Sequence, residues 1–134
     1  MAKLTDYVIH PSDDNADAAG KERRCHIRYR VSLPVHIRLS SGELAKATAV
    51  DISSGGIYVE YGASADEGKV FEMLFDLPFD RDFQRVYVKA EVVRSLVIGN
   101  RHVYGIAFNF VEFARGTDKV LKKYLELRGL KQAM

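Results

Sequence analysis

The chain reads as an all-β protein, a six-stranded antiparallel sheet that closes or nearly closes into a barrel, with one C-terminal α-helix and a flexible basic N-terminal arm. Three observations predict this. Six strand patterns follow one another from Tyr29 to Phe110, separated by turn signals and by no helical stretch. The tail from Gly116 switches to helical spacing. The basic residues cluster: Lys21 to Arg38 holds six of them against one acidic residue, Glu22, in a chain whose formal net charge is only +2.

The elements follow in order. Met1–Gly20 mixes Asp, Asn, Ser, Ala and Gly after a short apolar patch (Leu4, Tyr7, Val8, Ile9) and reads as a flexible, solvated arm. The first strand runs from Tyr29 to about Leu39, with Val31, Leu33, Val35 and Ile37 on one face. Pro34 lies inside it, which predicts a break or an edge there. Ser40-Ser41-Gly42 is a turn, Leu44–Asp51 a second strand, Ser53–Gly56 a turn and Ile57–Tyr61 a third strand. Gly62–Lys69 is a loop, Val70–Leu77 a fourth strand and Pro78–Arg85 a charged loop. Val86–Val97 is a long fifth strand, and His102–Phe110 a sixth, with Tyr104, Ile106, Phe108 and Phe110 on one face. Closure hides the edges that such strands otherwise expose.

In the tail, Val120, Leu121, Tyr124, Leu125 and Leu127 form an apolar helical stripe that packs on the barrel or on a second protomer. Thr117 is a candidate N-cap and Gly129 a candidate C-terminal stop. The domain plan is therefore residues 1–20 as arm, 21–115 as barrel domain and 116–134 as helix and tail.

Composition narrows the class. With 47% hydrophobic and 28% charged residues, the 134-residue chain fits one soluble globular domain. No apolar run approaches the roughly 20 residues of a membrane span. A single cysteine, Cys25, forms no internal disulfide, which agrees with a reducing compartment, and a cytoplasmic protein is expected. The positive charge is local rather than spread over a surface, which suits a small anionic ligand better than non-specific nucleic acid.

Two short motifs carry the chemistry. Arg24-x-x-x-Arg28 lies in the arm, and Asp51-x-Ser53-x-x-Gly56 lies at the end of the second strand. With the Glu22-Arg23-Arg24 lead-in, the Gly56-Ile57-x-Val59 run and Tyr104-Gly105-Ile106-x-Phe108, they resemble the signature of the PilZ family, bacterial receptors for cyclic di-GMP. Neither motif is specific alone. Both, in order within an all-β pattern, are. The resemblance spans about residues 22 to 113 and implies a PilZ-type barrel.

The resemblance implies that Arg24 and Arg28 hold guanine edges and phosphates, and that Asp51 and Ser53 contact the ligand from the barrel wall. The residue types suit those roles. A planar guanidinium matches phosphate oxygens and guanine O6/N7. A carboxylate accepts from guanine N1–H and N2–H₂ together. Gly55 and Gly56 let the backbone turn sharply and admit a ligand closely. Each residue also has a plainer reading: a solvated basic arm, a side chain bonding its own turn, hairpin glycines. The resemblance further implies that Arg23 favours two stacked cyclic di-GMP molecules per protomer. Binding is expected to order the basic arm against the barrel and so change the surface offered to an effector protein.

Nothing points to catalysis. His10, His26, His36 and His102 show no metal-ligand spacing with Cys25 or each other, and no nucleophile elbow or phosphate-cradling loop occurs. His26 reads as a solvated loop residue. No cofactor and no metal are expected beyond the ligand. The alternative function is a small β-barrel binding single-stranded nucleic acid, which needs exposed aromatics beside basic residues. Only Tyr58, Tyr61 and Tyr87 are candidates for that, so nucleic acid is the weaker expectation.

Overall fold

The computed structural model describes residues 26–99 and 102–133. The expected arm, Met1–Gly20, and with it Arg23, Arg24 and Cys25, lies outside them. The elements are β1 (Tyr29–Arg38), β2 (Leu44–Ile52), β3 (Gly56–Tyr61), β4 (Val70–Pro78), β5 (Phe83–Ile98), β6 (Val103–Phe113) and α1 (Thr117–Ala133). The strands close in the order β1-β2-β3-β6-β5-β4, every pair antiparallel. Four of the five connections are hairpins between neighbours; only β3 to β4 crosses the barrel. Closure leaves no free sheet edge among these strands.

Alternation fills the interior. Leu33, Val35 and Ile37 of β1 face Ala47 and Ala49, Val59, Phe75 and Leu77, and Val86, Val88 and Val92 in one buried cluster. Phe75, Ile52, Ile57 and Leu77 are essentially inaccessible. Each large side chain buried this way contributes about 1.5–3 kcal/mol. Pro34 stands where β1 acquires its second neighbour: pairing with β4 begins at Val35, and a bulge between Arg30 and Leu33 precedes it.

Two elements run further than their sequence pattern. β5 begins at Phe83, which confines the charged loop to a short turn closed by the Phe79 amide on the Asp82 carbonyl at 2.8 Å. β6 continues past Phe110 to Phe113 because Val111 is an extra residue in its ladder with β5. That bulge resets the alternation, so Phe110 and Phe113 both pack against the core.

The helix lies on the barrel. Leu121 and Tyr124 are buried, and Tyr124 meets Phe79 edge-on at 6.1 Å. Thr117 opens the helix, but its hydroxyl lies 3.0 Å from the carbonyls of Tyr87 and Ala114 and donates to them. It ties the helix to β5 rather than capping its amides. Gly129 is no stop, since α1 continues through it to Ala133. A Cβ there would stand 3.1 Å from the Tyr29 hydroxyl. This glycine makes room for a barrel side chain.

Burial pushes the Glu91 carboxyl above its ordinary value. The folded state therefore favours the protonated acid. Its destabilising contribution is absent well below the ordinary glutamate range and grows as pH rises through the raised value. Glu91→Gln should exceed the unmodified protein in urea midpoint by more at pH 7 than at pH 4. Equal differences at both values would exclude Glu91 as the source.

Candidate functional site

Asp51 owes its place to a bulge. In β2 the buried positions are Ala47 and Ala49, so strict alternation would turn Asp51 into the core. Val50 is an extra residue between the pairs Ala49–Val59 and Asp51–Tyr58. The alternation shifts by one, Ile52 takes the interior position and Asp51 moves to the outer side. Across the ladder its partner is Arg30, just before the bulge in β1. The two strands beside the motifs are thus both irregular there.

The motifs meet. Asp51 Oδ1 accepts a hydrogen bond from Arg28 Nη1 at 3.0 Å, the last residue of one motif bonding the first of the other. Their side chains are 57% and 27% exposed, so water screens the pair and it adds at most about 1 kcal/mol to stability. An incoming anion can replace Asp51 at Arg28 at small cost. Arg23 and Arg24 precede the described residues.

Ser53 is buried, at 4% exposure. Its Oγ accepts the amides of Gly55 at 3.1 Å and Gly56 at 3.2 Å, and its own amide donates to the Gly56 carbonyl at 2.9 Å. Its hydroxyl organises the turn.

Neither Gly55 nor Gly56 has a left-handed backbone, so a sharp turn is not what requires them. Space is. A Cβ on Gly56 would run into the carbonyl oxygen of Phe108 on β6, and one on Gly55 would come 2.7 Å from the His26 ring. His26 is consequently half-buried against the second motif, not the solvated loop residue its sequence context indicates. It is a second link between arm and turn. The only trace of it in the sequence is its place midway between Arg24 and Arg28.

The helix supplies residues that motif reading passes over. Arg128 Nη2 donates to the carbonyl of Arg30 at 2.8 Å, and Nη1 to the Tyr124 hydroxyl at 2.7 Å. Its guanidinium lies 5.3 Å from the Tyr29 ring centre and 5.7 Å from that of Tyr124. A groove of about 530 Å³ runs between the arm root (Ile27, Tyr29), Ser54 and the helix (Leu121, Leu125, Gly129). Its size is that of a small-molecule site. A second hollow, bordered by Glu72 and Glu112, shares no residue with the motifs. Among the described residues no cluster of side chains could hold a metal ion, and no helix is long and apolar enough to cross a membrane.

The fold has known counterparts. The inhibitor of motility MotI/DgrA of Bacillus subtilis superposes with a TM-score of 0.71 at 23% identity, over 81% of this chain and 52% of that one. The PilZ domain of YcgR from Escherichia coli, solved with c-di-GMP, gives 0.57 at 15% identity, over 83% and 97%. The MrkH–c-di-GMP complex of K. pneumonia gives 0.66 at 16% identity, over 81% and 53%. The chain thus spans about half the length of MotI/DgrA and MrkH. At these identities the likeness is one of fold. No curated protein matches the sequence. The PilZ domain family model matches residues 22–127, from the basic arm into the helix, and the chain belongs to that family.

Proposed function

We propose that the protein is a cyclic di-GMP receptor that binds without catalysing a reaction. One observation carries this reading: Arg28 and Asp51, from two motifs 23 residues apart, stand 3.0 Å from each other at the surface of a PilZ barrel. They form a ready donor–acceptor set for guanine and phosphate. Two of the similar folds, YcgR and MrkH, are described with c-di-GMP.

In this reading Arg23, Arg24 and Arg28 bond phosphates and guanine edges, Asp51 reads guanine N1–H and N2–H₂, and Ser53 holds Gly55 and Gly56 open to the ligand. The arginine arm closes on the ligand and changes the surface presented to an effector protein, an order–disorder switch. With Arg23 present, two stacked molecules bind each protomer. The expected setting is the bacterial cytoplasm.

Calorimetric titration with cyclic di-GMP, at protein well above the dissociation constant, tests both parts. Two ligands per protomer are expected, and Arg23→Leu should move the ratio toward one while binding persists. A ratio of one in the unmodified protein removes the stacked pair. No binding at all removes the receptor reading.

A further inference from the structure

The root of the arm is held from two sides. Arg28 bonds Asp51 on the barrel wall, and two residues later the Arg30 carbonyl accepts from Arg128 on α1 at 2.8 Å. Between them Tyr29 is buried, at 7% exposure, with its hydroxyl against Gly129 and its ring beside the Arg128 guanidinium. Nothing in an ordinary β-strand calls for this. The ladder pairs Arg30 with Asp51, but β4 reaches β1 only from Val35 onward. The first residues of β1 therefore have one strand neighbour, and the carbonyl of Arg30 takes its partner from the helix. A guanidinium suits the task, because its planar fork bonds Arg30 and Tyr124 at once and still lies near two rings.

We propose that Arg128 is a positioning residue for the ligand site. It fixes residues 28–30 against α1 so that Arg28 stands at Asp51, and it thereby couples the C-terminal turns of the helix to ligand occupancy. The coupling rests on the cyclic di-GMP reading above; the bracing does not. Because linkage is reciprocal, a ligand held more tightly through Arg128 also stabilises the turns that carry it. The helix becomes a surface whose order reports occupancy.

Arg128→Gln and Arg128→Lys in the full chain test this. Net hydrogen bonds of this kind correspond to about a three- to tenfold change in affinity. Arg128→Gln should weaken cyclic di-GMP binding by that factor. Arg128→Lys, which keeps the charge but not the fork, should recover only part of it. In the unmodified protein the ligand should slow hydrogen exchange at the amides of Tyr124–Leu130, and Arg128→Gln should abolish that slowing. A merely structural arginine would not give a ligand-dependent change there. Unaltered affinity in Arg128→Gln, or no ligand effect on α1, overturns the coupling. Without ligand, Arg128→Gln should speed exchange at Tyr29–Val31; unchanged exchange there overturns the bracing. Should the unmodified protein bind no cyclic di-GMP, the receptor reading and the coupling fail together, and this ligand-free measurement still decides the bracing.

Discussion

Gly56→Ala should lower the unfolding free energy by about 3 kcal/mol or more, the upper end of what overpacking costs. The new methyl has no room: it points at the carbonyl of Phe108, which is backbone and cannot swing aside as a side chain can. Gly56 pairs with Asn109 at the start of the β3–β6 ladder, one of the two seams that close the barrel on either side of the hairpins. Separating β3 from β6 there would also disturb Ile57 and Phe108, both buried. Gly55→Ala is the informative contrast. The atoms nearest its methyl belong to the His26 ring, a side chain that can rotate away, so a smaller loss of stability is expected. Urea unfolding of the two variants side by side measures the difference. Equal midpoints would mean that β6 does not press on this turn.

Much of the barrel was legible in the sequence, because a strand with a buried face writes its period of two into the chain. The run Val31, Leu33, Val35, Ile37 and the run Val86, Val88, Ala90, Val92 both turn inward as that period requires. The pattern misled where bulges intervene. β6 reads as ending at Phe110 because the extra residue Val111 breaks the alternation, while the ladder itself goes on to Phe113. Gly129 reads as a stop because glycine commonly ends helices, whereas here a long-range neighbour, the Tyr29 hydroxyl, selects it.

The candidate site divides along the same line. Arg28 and Asp51 are visible as motif members, and their pairing follows once β1 and β2 form a hairpin. The burial of Ser53, the His26 ring over Gly55 and the bond from Arg128 to Arg30 are tertiary facts. They join residues up to 98 positions apart, and apart from His26's place midway between Arg24 and Arg28, spacing in the sequence carries no trace of such contacts.

Asp51→Asn should separate binding from folding. The Arg28–Asp51 pair is open to water on its Arg28 side, so its loss should shift stability by no more than about 1 kcal/mol. The ligand meets a different situation. An amide at position 51 keeps one acceptor oxygen but loses the charge and brings an NH₂ toward the guanine N1–H or N2–H₂ donors. Charge-assisted bonds are worth about 1.5–3 kcal/mol each, and about 1.4 kcal/mol is a factor of ten. Affinity for cyclic di-GMP should therefore fall at least about tenfold in Asp51→Asn, and by a similar factor in Arg28→Ala. The two losses should differ in kind. In the receptor reading, Asp51→Asn removes the group that distinguishes the bases, because adenine lacks the paired N1–H and N2–H₂ donors. In the same reading Arg28→Ala removes phosphate contacts, which guanine and adenine dinucleotides share, together with its part in holding the guanine edge. Preference for cyclic di-GMP over cyclic di-AMP should shrink more in Asp51→Asn than in Arg28→Ala. Competition titrations of both variants, with melting curves to confirm folding, read these outcomes directly. Asp51→Asn that keeps both the affinity and the preference of the unmodified protein would leave Asp51 no part in reading the base.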